Sequence, residues 1–168
     1  MSVPGPEGGR VMGDVVYRSR VQVDRAGGPL RHARVPAEEV PVVFGVHSEV
    51  AAHYGLAEGQ YEPHATTLDY VVAAAAGGLT GTRGGALEAR GIPAGDGRLH
   101  ADATGEVELE GRTLVLKRIA VRYRLRADPG TDRSAVDRVM GVHADHCPVA
   151  RSLRGAIDIT TSIDLTVA

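Results

Sequence analysis

The stretch AAAAGGLTGTRGGALEARG, residues 73–91, begins like a strong helix and then carries five glycines, at positions 77, 78, 81, 84 and 85. A glycine inside a helix costs roughly 1 kcal/mol relative to alanine, so buried contacts must offset this cost. Ala73, Gly77, Gly81 and Gly85 recur at every fourth position and line one face, where small side chains let another backbone come close. Gly78 lies about 100° round the helix from Gly77, and this packing does not explain it.

These glycines are a poor match to a phosphate-binding loop. The stretch fits neither G-x-x-x-x-G-K-S/T nor G-x-G-x-x-G, and the only lysine of the chain, Lys117, lies elsewhere. Thr66 and Asp69 form a capping-box pattern at the start of the helix, and Gly91 with Pro93 stops it. We therefore predict one long helix that begins at Thr66 and ends near residue 90.

Alternating apolar residues predict strands on both sides of this helix. We expect strands at 15–23, 30–35, 99–109, 113–126 and 156–167, and shorter helices at 47–55 (capped by Ser48), 131–146 (capped by Thr131 or Asp132) and 148–153. The order predicts an α+β class with antiparallel sheet. Residues 14–168 form one domain, and the Gly- and Pro-rich residues 1–13 are expected to be a mobile leader.

Composition excludes several classes of protein. The formal net charge is −2, without the basic excess of a nucleic-acid-binding protein. Cys147 is the single cysteine, which rules out an internal disulfide and favours a reducing compartment. No apolar run reaches about 18 residues, and the N-terminus has no signal pattern, so we expect a cytoplasmic protein without membrane contact.

Two segments carry a family pattern. They are TTLDYVVAAAAGGLTGTRGGALEARGI, residues 66–92, and HADHCPVARSLRGAIDITTSID, residues 143–164. A long Ala-rich helix ending in RRGI-like residues, then a CP-V/I-S-x-x-L segment and a final strand, is typical of the OsmC/Ohr family. Over roughly residues 40–168 the chain resembles these osmotically inducible and organic-hydroperoxide-resistance proteins.

The resemblance implies an intertwined homodimer in which sheets wrap two long central helices, with active sites at the subunit interface. Typical members reduce organic hydroperoxides, and we expect no cofactor in this chain. A peroxidatic cysteine on the long helix becomes a sulfenic acid, and the cysteine of the CP motif resolves it as a disulfide that a dithiol reopens. An arginine and a glutamate hold the first thiolate ready.

This chain departs from the family pattern at the decisive position. Cys147 matches the resolving cysteine, but Gly78 stands where the peroxidatic cysteine is expected, and a glycine is no nucleophile. Leu68 falls at the spacing of the family glutamate, with Asp69 one place on, and Arg83 stands where an apolar residue is expected. The family arginine has no assignable counterpart. Loss of a side chain at Gly78 is also expected to enlarge the pocket.

Cys147 leaves two interpretations open. His143, His146 and a helix N-terminus would favour its thiolate and a one-cysteine peroxidase. A structural thiol left from an ancestor is the interpretation we favour. The spacing H-x-x-H-C does not match common zinc sites, so we predict no metal.

A second group of candidates precedes the long helix. Glu62, His64 and Asp69 are suited to acid–base chemistry beside a pocket, histidine because it titrates near neutral pH. The alternatives are that Asp69 only favours the helix N-terminus, which we prefer, and that His64 is a surface residue. A further set of polar side chains comprises His47, Glu49 and His53. The side chains of His47 and Glu49 are expected to point apart. The row Arg118, Arg122, Arg124 and Arg126 is expected to be a solvated sheet face rather than an anion site.

The sequence therefore predicts an OsmC-like homodimer without the two-cysteine peroxidase cycle. Its interface pocket, with Gly78, Arg83, His143 and His146 nearby, would bind a small apolar or aromatic molecule or support non-redox acid–base chemistry. The alternatives are a residual organic hydroperoxide peroxidase that uses Cys147, and a non-catalytic stress or scaffold protein.

Overall fold

The structure is a computed structural model that describes residues 13–167, with all their side chains except that of His143. The expected leader, residues 1–13, falls outside this range apart from Gly13. The elements in chain order are β1 (Gln22–Gly27), β2 (Leu30–Arg34), β3 (Val42–Phe44), α1 (Ser48–His53), α2 (Thr67–Glu88), β4 (Leu99–Glu110), β5 (Thr113–Ala127), α3 (Arg133–Val142), a 3-10 turn (His143–His146), α4 (Pro148–Leu153) and β6 (Asp158–Val167).

The N-terminal sheet is antiparallel with strand order β1-β2-β3. The two strands predicted here are present and form a hairpin in which Val23 pairs with Ala33. The first strand begins only at Gln22, although the alternation of apolar residues predicted a start near residue 15. β3 was not predicted, because three residues are too few to show a period; Phe44 pairs there with Arg31.

The C-terminal sheet has the order β4-β5-β6. The strands predicted at 99–109 and 113–126 are present and form a hairpin, and apolar residues alternate along β5: Ile119, Val121, Tyr123 and Leu125 are buried. β6 runs parallel to β5, so this sheet is mixed rather than wholly antiparallel. The reason is the helical crossover through α3 and α4, which returns the chain to the starting end of β5.

α2 lies across the inner face of this sheet. Its N-cap is Thr66, and the predicted capping box with Asp69 is present. Gly91 has φ 71° and ends the helical segment, as expected of a glycine after a helix. The buried face of α2 carries Ala75, Leu79, Arg83 and Leu87.

The opposite face of α2 is the small-residue stripe, and it is exposed. A Cβ added at Gly77, Gly81 or Gly85 would meet no atom within 4 Å. The close backbone approach predicted for this stripe is therefore not made by any described residue of the same chain. β1 is likewise exposed along its whole length. Within residues 13–167, no helix combines the length and the apolar character that crossing a membrane requires.

Candidate functional sites on the long helix

Gly78 and Cys147 face each other in the core. Cys147 is fully buried at the N-cap of α4, where its Sγ accepts from the backbone N–H of Ala150 at 3.5 Å. The same Sγ lies 3.1 Å from the position that a Cβ on Gly78 would take, and Val149 Cγ2 lies 3.2 Å from it. Cys147 and Val149 therefore fill the space beside Gly78, and the expected enlargement of the pocket is not found within this chain.

The distance between these two positions matches a redox pair. In a disulfide, the Cβ of one cysteine lies about 3 Å from the Sγ of the other. The observed 3.1 Å between the Gly78 Cβ position and Cys147 Sγ matches this one distance, and Cys147 is the only one of the two residues that bears a thiol. The remaining thiol has no solvent exposure in the described chain.

Of the two candidate histidines near Cys147, the structure describes the side chain of His146 alone. His146 is exposed at the end of the 3-10 turn, and the side chain of His143 lies outside what the structure describes. In the described part of the chain, no three His, Cys, Asp or Glu side chains converge as a metal site would require.

Arg83 is a buried cation under α2, at 1% exposure. Its Nη2 donates to Thr161 Oγ1 at 2.8 Å, and its guanidinium carbon lies 4.8 Å from the centre of the Tyr123 ring. Neither Nε nor Nη1 has a hydrogen-bond partner among the described residues, and the buried Tyr123 hydroxyl lacks one too. Because arginine stays charged in proteins, this arrangement carries a desolvation cost that one hydroxyl and one ring compensate only in part.

A connected polar group lies at the start of α2. Asp69 Oδ2 accepts from the Thr66 backbone N–H at 2.6 Å and from the Thr66 hydroxyl at 2.7 Å. The same oxygen lies 2.9 Å from Nε2 of His47. Burial raises the pKa of the Asp69 carboxyl, but the hydrogen bonds from His47 and Thr66 outweigh it and hold that pKa below its usual range. Asp69 therefore acts as a helix-capping carboxylate, as favoured above, and also pairs with a histidine.

The polar group also includes Ser48, which was expected to be a helix cap. Nδ1 of His47 lies 3.0 Å from Ser48 Oγ. The N-cap of α1 is His47, not Ser48, and no side chain caps this helix, so the predicted Ser48 cap is wrong. Ser48 has φ 47°, a left-handed conformation that is uncommon for serine. The His47–Asp69 pairing spans 22 residues, and no local sequence pattern signals it.

Glu62 and His64 form a looser pair. His64 Nε2 lies 3.7 Å from Glu62 Oε1, and 81% of the Glu62 side chain is exposed. The backbone of His64 donates to Val46, and Gly45 donates to Ala65, so this segment runs beside the extension of β3. Gly45 is required there because an added Cβ would lie 2.7 Å from Cβ of His64. Of the three acid–base candidates, Glu62 and His64 therefore form one pair, and Asp69 pairs with His47.

An apolar cleft of about 510 Å³ opens between the N-terminal sheet, α1 and the start of α2. Thr66, Thr67 and Arg31 supply polar groups to its lining. Its main apolar lining residues are Val46, Val50, Tyr54, Leu56, Leu68 and Leu114.

The arginine row on β5 is exposed and largely paired with carboxylates. Arg118 contacts Glu106, Arg122 contacts Asp164, and Arg124 contacts Asp102. This agrees with a solvated, charge-balanced face, and these ion pairs leave little net charge to attract an anion.

The model of the OsmC-like protein family matches residues 59–162, the part of the chain that holds α2, the Cys147 segment and the first half of β6. The chain belongs to the OsmC-like protein family. A search of the curated proteins found no match. The family assignment therefore rests on the match of residues 59–162 to the family model.

Solved structures of OsmC-like proteins share the fold. An organic hydroperoxide resistance protein OsmC from Legionella pneumophila is 12% identical, with TM-score 0.66 and 90% and 99% of the two chains covered. The organic hydroperoxide resistance protein OhrB of Bacillus subtilis is 12% identical, with TM-score 0.63 and 89% and 100% covered. An OsmC-like protein of unknown function from Vibrio cholerae is 9% identical, with TM-score 0.70 and 89% and 100% covered. These low identities establish the fold alone.

Proposed function

We propose that this OsmC-like protein does not run the two-cysteine hydroperoxide cycle and instead binds a small apolar or aromatic molecule in the cleft beside α2. The observation that carries the first half is the contact of Gly78 with Cys147. The two positions have the spacing of a disulfide, yet only one of them bears sulfur. The fold of a peroxidase is kept without its nucleophile.

The composition of the cleft supports the second half. A volume of about 510 Å³ suits a small organic ligand, and the lining is mainly aliphatic with one tyrosine. Arg31 and the two threonines at the start of α2 offer a few polar contacts that would orient such a ligand. The segment with Glu62 and His64 enters α2 beside this cleft, so its acid–base groups are within the same region.

A homodimer is part of this proposal. The exposed stripe of Gly77, Gly81 and Gly85 would let α2 of a second copy pack at close backbone distance. The exposed β1 would also gain cover in an intertwined assembly. A reducing cytoplasm, which the single free thiol favours, is the compartment we propose.

A residual peroxidase through Cys147 is the second candidate. It is favoured by one contact, the backbone N–H of Ala150 that points at Sγ. The thiol is completely buried, however, so this chemistry requires a local opening of α4. A non-catalytic scaffold is the third possibility, which predicts neither turnover nor ligand.

The redox half is tested by measuring hydroperoxide consumption with a dithiol reductant. We expect the natural chain to be inert and Gly78→Cys to gain activity. Turnover by the natural chain that Cys147→Ala abolishes would overturn the proposal in favour of the one-cysteine peroxidase.

The binding half is tested with an apolar fluorescent dye. We expect saturable binding that Leu114→Trp weakens at least tenfold, since the indole would fill part of the cleft. Val142→Trp is the control, because Val142 is an exposed apolar residue at the end of α3 and does not line the cleft. Equal binding by both variants, or none by the natural chain, would contradict the assignment of the cleft.

A further inference from the structure

Ser48, His47 and Asp69 form an unbroken chain of polar contacts on the surface of the fold. Ser48 Oγ lies 3.0 Å from Nδ1 of His47, and Nε2 of the same ring lies 2.9 Å from Asp69 Oδ2. This chain of contacts lies at the start of α2, away from the Gly78–Cys147 contact.

The carboxylate determines which ring nitrogen of His47 carries the proton. Asp69 Oδ2 already accepts from the N–H and O–H of Thr66, so it acts as an acceptor toward the ring as well. The Nε2 proton of a neutral His47 therefore points to Asp69, which leaves the Nδ1 lone pair toward the Ser48 hydroxyl. This is the arrangement that a general base needs to take a proton from a serine.

The backbone of Ser48 is a second, independent observation. Its φ of 47° places a serine in the left-handed region, where a residue with Cβ is strained. Serine nucleophiles in hydrolases are commonly held on such strained turns, which expose the Oγ atom. His47 itself is extended, with φ −157° and ψ 167°, so the strain is confined to the serine.

The cleft lies next to these three residues. Val46 and Val50, which bracket His47 and Ser48 in the sequence, both line it, and so does Thr66, which is hydrogen-bonded to Asp69. The three polar residues themselves lie outside its lining, so an apolar acyl group bound in the cleft would have to present its ester group at the rim, toward Ser48.

We propose that Ser48 is a nucleophile, His47 its general base and Asp69 a positioning residue in the hydrolysis of small apolar carboxylic esters. This inference rests on the cleft of the proposed function and adds the chemistry of its substrate.

The reaction needs only water as co-reactant. Ser48 Oγ forms a bond to the ester carbonyl carbon while its proton passes to Nδ1 of His47. The bond between that carbon and the alkoxy oxygen then breaks, and the leaving alcohol takes the proton back from Nδ1. Water attacks the acyl-serine with the same base, so that the products are one carboxylic acid and one alcohol, with no change of oxidation state.

The first measurement is covalent trapping with a fluorophosphonate, which reacts with activated serines, read out by intact mass and peptide mapping. We expect one label per chain at Ser48, none in Ser48→Ala, and at least tenfold slower labelling in His47→Gln. Ser134→Ala and His53→Gln, on exposed faces of α3 and α1, are matched controls that should label like the natural chain. A label at another serine, or no label, would overturn the proposal.

The second measurement is turnover of p-nitrophenyl acetate and hexanoate. We expect a preference for hexanoate, and a fall in kcat of about 100-fold or more in Ser48→Ala and in Ser48→Gly, which tolerates the left-handed backbone. Asp69→Asn should lower kcat with little change in KM; because a smaller folded fraction would give the same split, kcat is expressed per active site titrated with the fluorophosphonate. Rates for Ser48→Ala equal to those of the natural chain would refute the assignment.

The two proposals fail separately. If the dye binds the cleft but Ser48 is neither labelled nor needed for turnover, the hydrolase is wrong and the binding protein stands. If Ser48 is labelled but Leu114→Trp leaves the hexanoate preference unchanged, the acyl group does not occupy the cleft.

Discussion

The middle and the start of α2 differ in what their polar atoms can reach. In the middle, Cys147 and Arg83 are buried, and Gly78 holds a position without a reactive group. At the start, Ser48, His47 and Asp69 are partly exposed and connected to one another. Dense packing in the middle of α2 holds Gly78 against Cys147 but keeps the thiol from solvent, whereas reactivity needs both contact and access.

Gly78→Cys is the strongest test of the middle region. A disulfide with Cys147 would close a long loop and stabilise the fold by about 4 kcal/mol in the chain-entropy estimate. Denaturation with and without reductant measures this, and intact mass should show the loss of two hydrogens on oxidation. Gly77→Cys is the control, because that position faces open space and should form no disulfide within the chain. Two free thiols in oxidised Gly78→Cys would show that the contact differs in solution.

Arg83→Met tests the buried cation. Methionine keeps much of the volume and removes a charge whose Nε and Nη1 have no partner among the described residues, so we expect stabilisation by about 2 kcal/mol. Arg90→Met, at an exposed position, should change stability little. A lower free energy of unfolding for Arg83→Met would mean that an anion or water pairs with the guanidinium.

Ser48→Gly tests the strained serine at the start of the helix. Glycine adopts φ 47° without a Cβ clash, so this variant should be more stable by about 1 kcal/mol while it loses hydrolysis. Ala37→Gly is the control at φ 68°, where we expect a similar gain without effect on turnover. A destabilised Ser48→Gly would indicate that the serine contributes packing rather than strain.

The smallest expected effect concerns the pH dependence of Asp69. Its pKa is lower in the folded chain, so its contribution to stability is present above the unfolded value near 3.9 and is lost as the pH falls through the folded value. With 48% of the side chain exposed, we expect Asp69→Asn to lose about 0.5 kcal/mol at neutral pH and to show a shallower decline below pH 4. Asp14→Asn is the control. Identical acid denaturation of both variants would contradict this role.

The sequence predicted features that depend on local pattern. The alternation in β5 and the Thr66–Asp69 box in α2 both appear where expected. It did not predict the parallel partner of β5, since strand direction depends on the path of a distant crossover. Nor did it predict that His47 meets Asp69, because that contact arises only when the end of β3 is held against residues 64–65. A contact between residues that are far apart in the sequence produces no periodic pattern from which it could be predicted.

The position of Thr161 on β6 has a consequence for the order of folding. Its hydroxyl accepts the hydrogen bond of Arg83 from 78 residues away, and the crossover through α3 and α4 separates β5 from β6 along the chain. Contacts of such long sequence separation form late, because loop-closure entropy opposes them. The guanidinium should therefore remain hydrated while α2 and the β4–β5 hairpin assemble, and it loses water only when β6 docks, which makes the dehydration of a single arginine the closing step of the core.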